Sequence, residues 1–301
     1  MLIPAMLGSA ALLGAVGRAY QRMLSRRLDA RFARGSDGII CGADAIALTG
    51  SNGAAVLLVH GCGDTPQTMR HVAKAFHDRE YTVVAPLLPG HGRDLVAFDT
   101  ATADAWYAEV LAQFSRLRQS HDWIGVVGLS MGGALSARLA AETRAVDALV
   151  LASPYLSMPL VGEVLARTSA VWGALFPVVS TASERSVFDP AARAVSLGYG
   201  AFTRHSLPAL RLTASRGFTA LPSIEAPTLV MQSTTDNRVS TAATQRAFAR
   251  IGARVKEMEW IEGAGHVITV DFGWQRVAAR AVDWMEAHRT PKKRGAPRAP
   301  R

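Results

Sequence analysis

The sequence predicts an α/β fold, a mostly parallel sheet with helices on both faces and a small helical cap, on two observations. From residue 39 onward, short apolar β-rich runs alternate with longer stretches in which apolar residues recur every third and fourth position. That rhythm is interrupted once, over residues 155–226, by a Pro- and Gly-punctuated segment too long for a structureless loop in a compact chain. With 49% hydrophobic and 19% charged residues, the composition is that of a globular body rather than a disordered or fibrous one.

Residues 2–17 carry no charged side chain and are followed by Arg18, Arg22, Arg26, Arg27, Arg31 and Arg34. As a helix, sixteen residues span about 24 Å, a little short of a hydrocarbon core of about 30 Å. Positive charge follows the apolar run instead of preceding it. The pattern therefore points to an uncleaved anchor, or to an in-plane amphipathic helix continuing through Ala30, in preference to a cleaved signal. Basic residues stay on the cytoplasmic side, so the expected location is the cytoplasmic face of the inner membrane or the cytoplasm.

The strand candidates that follow are residues 54–60, 81–85, 123–128, 148–152, 228–232 and 255–260, each short and apolar. Helix candidates are 66–79, 102–119, 131–142, 241–251 and 274–288, several preceded by a Ser or Asp able to cap them. The expected organisation is an apolar and basic segment over 1–34, a core over 35–154 and 227–290, a cap insertion over 155–226, and a disordered basic tail over 291–301. Within the cap one helix is expected over 160–175. Its apolar Leu160, Val161, Leu165, Val171, Trp172, Leu175 and Phe176 fit a cap core as well as a pocket wall.

The net charge of +9 resides at the two ends, residues 1–34 and 291–301, and leaves the body between them close to neutral. No zinc-finger spacing, aromatic RNA-binding run or basic recognition helix accompanies it, so nucleic acid is not expected as a partner. Cys41 and Cys62 form neither a disulfide framework nor a metal cluster, and no metal or organic cofactor is expected.

Chemistry concentrates in three places. Gly128-Leu129-Ser130-Met131-Gly132 matches G-x-S-x-G directly between an apolar strand and a helix, the setting in which a sharp turn projects a serine hydroxyl from the sheet. A hydroxyl needs a base to take its proton and a carboxylate to hold that base. Asp236 follows the strand candidate 228–232 and His266 follows 255–260, both at strand carboxyl ends on the rim that holds Ser130, and in the chain order Ser, acid, His. Glu262 is the nearest rival acid, and His60 and His91 lie in glycine-bearing loops that can shape the site. His60-Gly61-Cys62-Gly63 closes the first strong strand, and the backbone amides of Cys62 and Met131 are the expected donors to an oxyanion.

HGCGDTPQTM (60–69), PLLPGHGRD (86–94), GLSMGG (128–133), the Asp236 loop and GAGH (263–266) together resemble the bacterial carboxylesterases and monoacylglycerol lipases of the α/β-hydrolase superfamily, over roughly residues 38–288. The resemblance implies an α/β-hydrolase fold whose helical cap covers the acyl pocket at 155–226. It implies oxyanion amides at Cys62 and Met131 and hydrolysis of short to medium acyl esters or monoacylglycerols. The chain departs from the family at Cys62, where a bulky apolar residue is frequent, and in its added terminal segments. The same triad serves thioesterase and acyltransferase chemistry, which the motifs do not separate. A non-catalytic membrane-bound binding protein is the reading against which an intact triad argues.

Overall fold

The computed structural model describes residues 2–175, 178–180 and 186–289, with the side chains of 2–11, 28, 29, 174, 175, 179 and 180 left aside. The tail expectation for 291–301 and Phe176 fall outside the described residues.

Helix α1 (Leu2–Arg31) precedes the edge strand β1 (Ile46–Leu48) and β2 (Ala54–Val59). A 3-10 turn (Pro66–Met69) then leads into α2 (Arg70–His77), followed by β3 (Thr82–Ala85), α3 (Leu95–Thr100), α4 (Ala103–Ser120), β4 (Trp123–Leu129), α5 (Met131–Thr143) and β5 (Ala148–Ala152). The insertion holds α6 (Leu160–Arg167), α7 (Ser169–Leu175), β6 (Val178–Ser180), α8 (Pro190–Ala194), β7 (Ala201–Thr203) and α9 (Ser206–Ala220). The chain returns with β8 (Thr228–Ser233), α10 (Thr241–Arg250), β9 (Lys256–Ile261) and α11 (Trp274–Ala287).

Seven strands form one sheet in the order β1-β3-β2-β4-β5-β8-β9, parallel except for β1, which runs antiparallel to β3. Strand period sorts the core onto its two faces. Ala55, Leu57, Val59, Val126 and Leu149 pack on one side with α4, α5 and α9, while Ala54, Val56, Leu58, Val127 and Val150 pack on the other with α2 and α11. Residues buried on both faces explain why these strands read as continuous apolar runs. This is the α/β-hydrolase arrangement.

Besides the fifteen-residue α9, which the sequence reading did not single out within the insertion, the elements absent from it are short. β1 is a three-residue antiparallel edge, α3 is six residues capped by the Asp94 carboxylate on the Ala97 N–H (2.8 Å), and β6 pairs with β7 as a separate two-stranded ribbon. The helix expected over 160–175 is two helices. Thr168 separates them, turning its hydroxyl back onto the Val164 carbonyl (2.8 Å) so that the chain bends there. Helix α9 lies on α5 and so extends the helical layer over the sheet.

Helix α1 packs against α7, and the chain beyond it is fastened to the body. Arg31 donates to the Ser196 carbonyl (3.0 Å), Arg34 donates to the Arg93 carbonyl (3.1 Å), and Arg34 bridges to Ile40. Among the described residues no helix is long and apolar enough to cross a membrane.

Candidate active site

Ser130 occupies the junction of β4 and α5 with φ 54° and ψ −116°, a conformation that L side chains rarely adopt. The turn is over-determined by its surroundings. The Ser130 amide donates to the Ala152 carbonyl (2.9 Å), and its carbonyl accepts from Gly133 and Tyr155 (both 2.9 Å). The glycines of the motif are required by space, because a methyl at Gly132 would overlap the Val59 carbonyl and one at Gly128 would overlap the Gly132 carbonyl. The side chain projects at the carboxyl edge of the sheet, where open α/β sheets leave a crevice.

His266 brings its Nε2 to 2.8 Å from the Ser130 Oγ, and its Nδ1 to 2.7 Å from Asp236 Oδ2. A carboxylate only accepts, so Nδ1 carries the proton and Nε2 is free to accept the serine hydroxyl hydrogen. Asp236 is held by more than its histidine. Gln232 Nε2 donates to Oδ2 (2.6 Å), and the amides of Arg238 (2.7 Å) and Val239 (3.0 Å) donate to Oδ1. Burial alone would raise its pKa, but the hydrogen bond and charge of His266 and these backbone donors keep it below its ordinary value. Glu262 is exposed, and the histidine position it would have needed is taken by Asp236.

The loop after β2 lies beside Ser130, so close that a methyl at Gly61 would sit 3.3 Å from the Ser130 Cβ. Two buried histidines shape this loop. His60 accepts the Leu88 N–H at Nε2 (3.1 Å) and donates from Nδ1 to the Gly61 carbonyl (2.8 Å). His91 accepts the Gly63 N–H at Nε2 (3.0 Å) and donates from Nδ1 to the Pro89 carbonyl (3.1 Å). Both are neutral clamps, since burial carries His60 well below its ordinary pKa and His91 to about 4. Among the described residues the Cys62 and Met131 amides have no hydrogen-bond partner. The Cys62 thiol is held protonated, its pKa raised by burial and by the charge of Asp64.

A pocket of about 350 Å³ opens over these groups, within the size range of small-molecule sites. Its lining combines apolar residues, among them Ala201, Phe202, Leu210, Val187 and Val267, with polar ones, among them Asp64, Ser186 and Arg238. Arg238 is positioned by donating to the Ser186 hydroxyl (2.8 Å).

Two acids beside these groups escaped the sequence reading. Asp64, next to the glycine pair, turns its carboxyl into the pocket, and burial pushes its pKa up to about 6 against the opposing charges of His266 and Arg238. Asp271 is fully buried and accepts backbone N–H groups from Gly265 (2.6 Å), Phe188, Asp189 and Phe272 (each 2.8 Å), tying the His266 loop to the insertion. The only signal for either in the sequence was an acid within a few residues of a motif. Among the described residues no cluster of side chains suits a metal ion.

A family model named Hydrolase_4, serine aminopeptidase S33, matches residues 50–272. The thermostable monoacylglycerol lipase of Bacillus sp. (strain H-257) is 28% identical over 233 residues, which span 77% of this chain and 90% of that protein. A carboxylesterase of Bacillus subtilis (strain 168) is 24% identical over 222 residues, spanning 72% and 86%. Among solved structures, one from work on LipS and LipT, two metagenome-derived lipolytic enzymes, superposes with a TM-score of 0.77 at 25% identity, covering 83% of this chain and all of that one.

Proposed function

The chain belongs to the Hydrolase_4 (serine aminopeptidase S33) family, and on that premise we propose that it hydrolyses carboxylic esters through an acyl-enzyme on Ser130. It is a lipase- and esterase-like hydrolase of the α/β-hydrolase fold. The observation that carries the finer reading is the unbroken chain from a strained elbow serine to His266 Nε2 at 2.8 Å and from His266 Nδ1 to Asp236 at 2.7 Å.

In this mechanism Ser130 Oγ attacks the ester carbonyl carbon as His266 Nε2 takes the hydroxyl proton. Asp236 keeps the imidazole in the Nδ1–H tautomer and stabilises the cation that forms. Negative charge develops on the former carbonyl oxygen and is met by the Cys62 and Met131 amides, preorganised donors typically worth about 3 kcal/mol each. As the tetrahedral intermediate collapses, the C–O bond breaks and His266 gives its proton to the departing alcohol. Water then attacks the acyl-enzyme with His266 as base, and the second collapse returns the proton to Ser130 and releases the acid.

Short to medium acyl esters or monoacylglycerols are the proposed substrate class. The relatives named for lipase and carboxylesterase activity support this reading, as does a pocket whose lining offers both apolar residues to an acyl chain and polar ones to an alcohol. Nitrophenyl esters of rising acyl length, run beside the matching acyl-CoA thioesters, test it. The ester series should be the better substrate, whereas faster turnover of thioesters would move the assignment to a thioesterase. The proposed location is a membrane surface at the cytoplasmic face, with α1 lying in the plane. Leu12, Leu13 and Val16 are exposed on that helix, and Arg18, Arg22, Arg26 and Arg27 are exposed beyond them.

A further inference from the structure

Leu24 and Arg31 of α1 line the same pocket as Ser130 and His266. Both lie outside residues 50–272, the part of the chain that matches the family. They are seven residues apart, two helical turns, and therefore share one face of α1. Gly17 lies a further seven residues back and is buried, whereas Leu12, Leu13, Val16 and Met23 are exposed. Thus one face of the helix looks into the molecule and another looks out. The helix is fixed in place by packing on α7 and by the Arg31 bond to the Ser196 carbonyl, with Arg34 anchoring the chain just beyond.

We propose that α1 is a built part of the substrate site, with Leu24 as a specificity-determining residue in the wall that holds the acyl chain. The placement within the pocket follows from the company Leu24 keeps. It packs against the large apolar cluster to which the lining residues Tyr199, Ala201 and Leu210 belong and against which Phe202 also packs, whereas the apolar lining residues Val187 and Val267, beside His266, belong to the cluster on the other face of the sheet. Asp64, Ser186 and Arg238 are among the polar lining residues, and Arg31 adds a guanidinium two turns along α1 from Leu24. An ester divides in the same way, into an apolar acyl chain and a more polar alcohol, so apolar burial assigns the acyl chain to the side of Leu24. In a cavity of about 350 Å³ a change of side-chain volume at one wall residue alters how many methylenes fit.

The inference rests on the ester-hydrolase reading, and the experiment separates the two. In the full chain, Leu24→Trp, Leu24→Ala and the outward-facing control Met23→Trp are compared by the ratio of kcat/KM for nitrophenyl decanoate to that for nitrophenyl acetate. Leu24→Trp should lower this ratio at least tenfold, and Leu24→Ala should shift the preferred chain length upward. Met23→Trp should leave the ratio within about twofold of the parent. If Leu24→Trp fails to fold, Leu24→Ala still reads the wall. A parent-like chain-length profile in the Leu24 variants, or an equal displacement by Met23→Trp, overturns the assignment. A parent protein whose Ser130 takes no fluorophosphonate label overturns the ester reading and this inference with it.

Discussion

Asp64→Asn removes a charge that the fold tolerates at a cost. Its carboxyl faces the pocket with no hydrogen-bond or ion-pair partner among the described residues, and its pKa stands at about 6 against an ordinary 3.8. Burial is the main cause, offset in part by His266 and Arg238. The folded state thus keeps a proton that the unfolded chain has released. A raised carboxyl pKa contributes stability that is full below the unfolded value and is lost as pH climbs through the folded one. The loss reaches about 3 kcal/mol above pH 6 as an upper bound, and pocket water reduces it. Asparagine has the same shape and no such ionisation. Denaturation of parent and variant from pH 4 to pH 8 should give curves that meet near pH 4 and diverge through pH 6, with Asp64→Asn the more stable. For a chain of this size that is several degrees in Tm. In the proposed mechanism the same charge would stabilise the His266 cation in the transition state, so the variant should also lose roughly tenfold in kcat, about 1.4 kcal/mol. A stability difference independent of pH, or a variant less stable than the parent at pH 8, refutes this reasoning.

Asp236→Asn should leave the fold intact and lower kcat by about 10⁴, because the amide favours the wrong imidazole tautomer. Exposed Glu262→Gln should change kcat less than about twofold, and steady-state kinetics showing the reverse order would reassign the acid. Asp271→Asn leaves backbone N–H groups of two loops facing an amide, so it should cost about 3 kcal/mol in urea denaturation and lower kcat as His266 loses its support. A parent-like kcat in that variant contradicts the supporting role. Sedimentation with vesicles should show the full chain binding anionic bilayers, with the Arg22/Arg26/Arg27→Ser triple variant bound less and added salt releasing the parent. Equal binding of parent and triple variant to neutral and anionic vesicles would rule out the proposed charge attraction.

The buried parallel strands were legible because both their faces are apolar, and β5 at 148–152 was read to the residue. The meeting of Ser130, His266 and Asp236 at one rim was legible because backbone geometry confines each to a strand carboxyl end, and glycine marks the turns at Ser130 and His266. Elements stabilised by partners distant in sequence were not readable. β1 exists through its pairing with β3, and the ribbon joins residues 178–180 to 201–203. Asp271 belongs to the same class, since two of its donors lie more than eighty residues away. Residues 1–34 read as a signal of location because apolar and basic patterning says nothing about which inner face meets the cap. That Leu24 and Arg31 line the pocket follows only from tertiary packing.

Covalent labelling of Ser130 tests the central claim most directly. Reaction of the full chain with a fluorophosphonate, followed by peptide mass spectrometry, should place a single adduct on Ser130 at a rate abolished by His266→Ala, with no adduct formed in Ser130→Ala. Adduct formation on another residue, or esterase turnover that survives in Ser130→Ala, contradicts it.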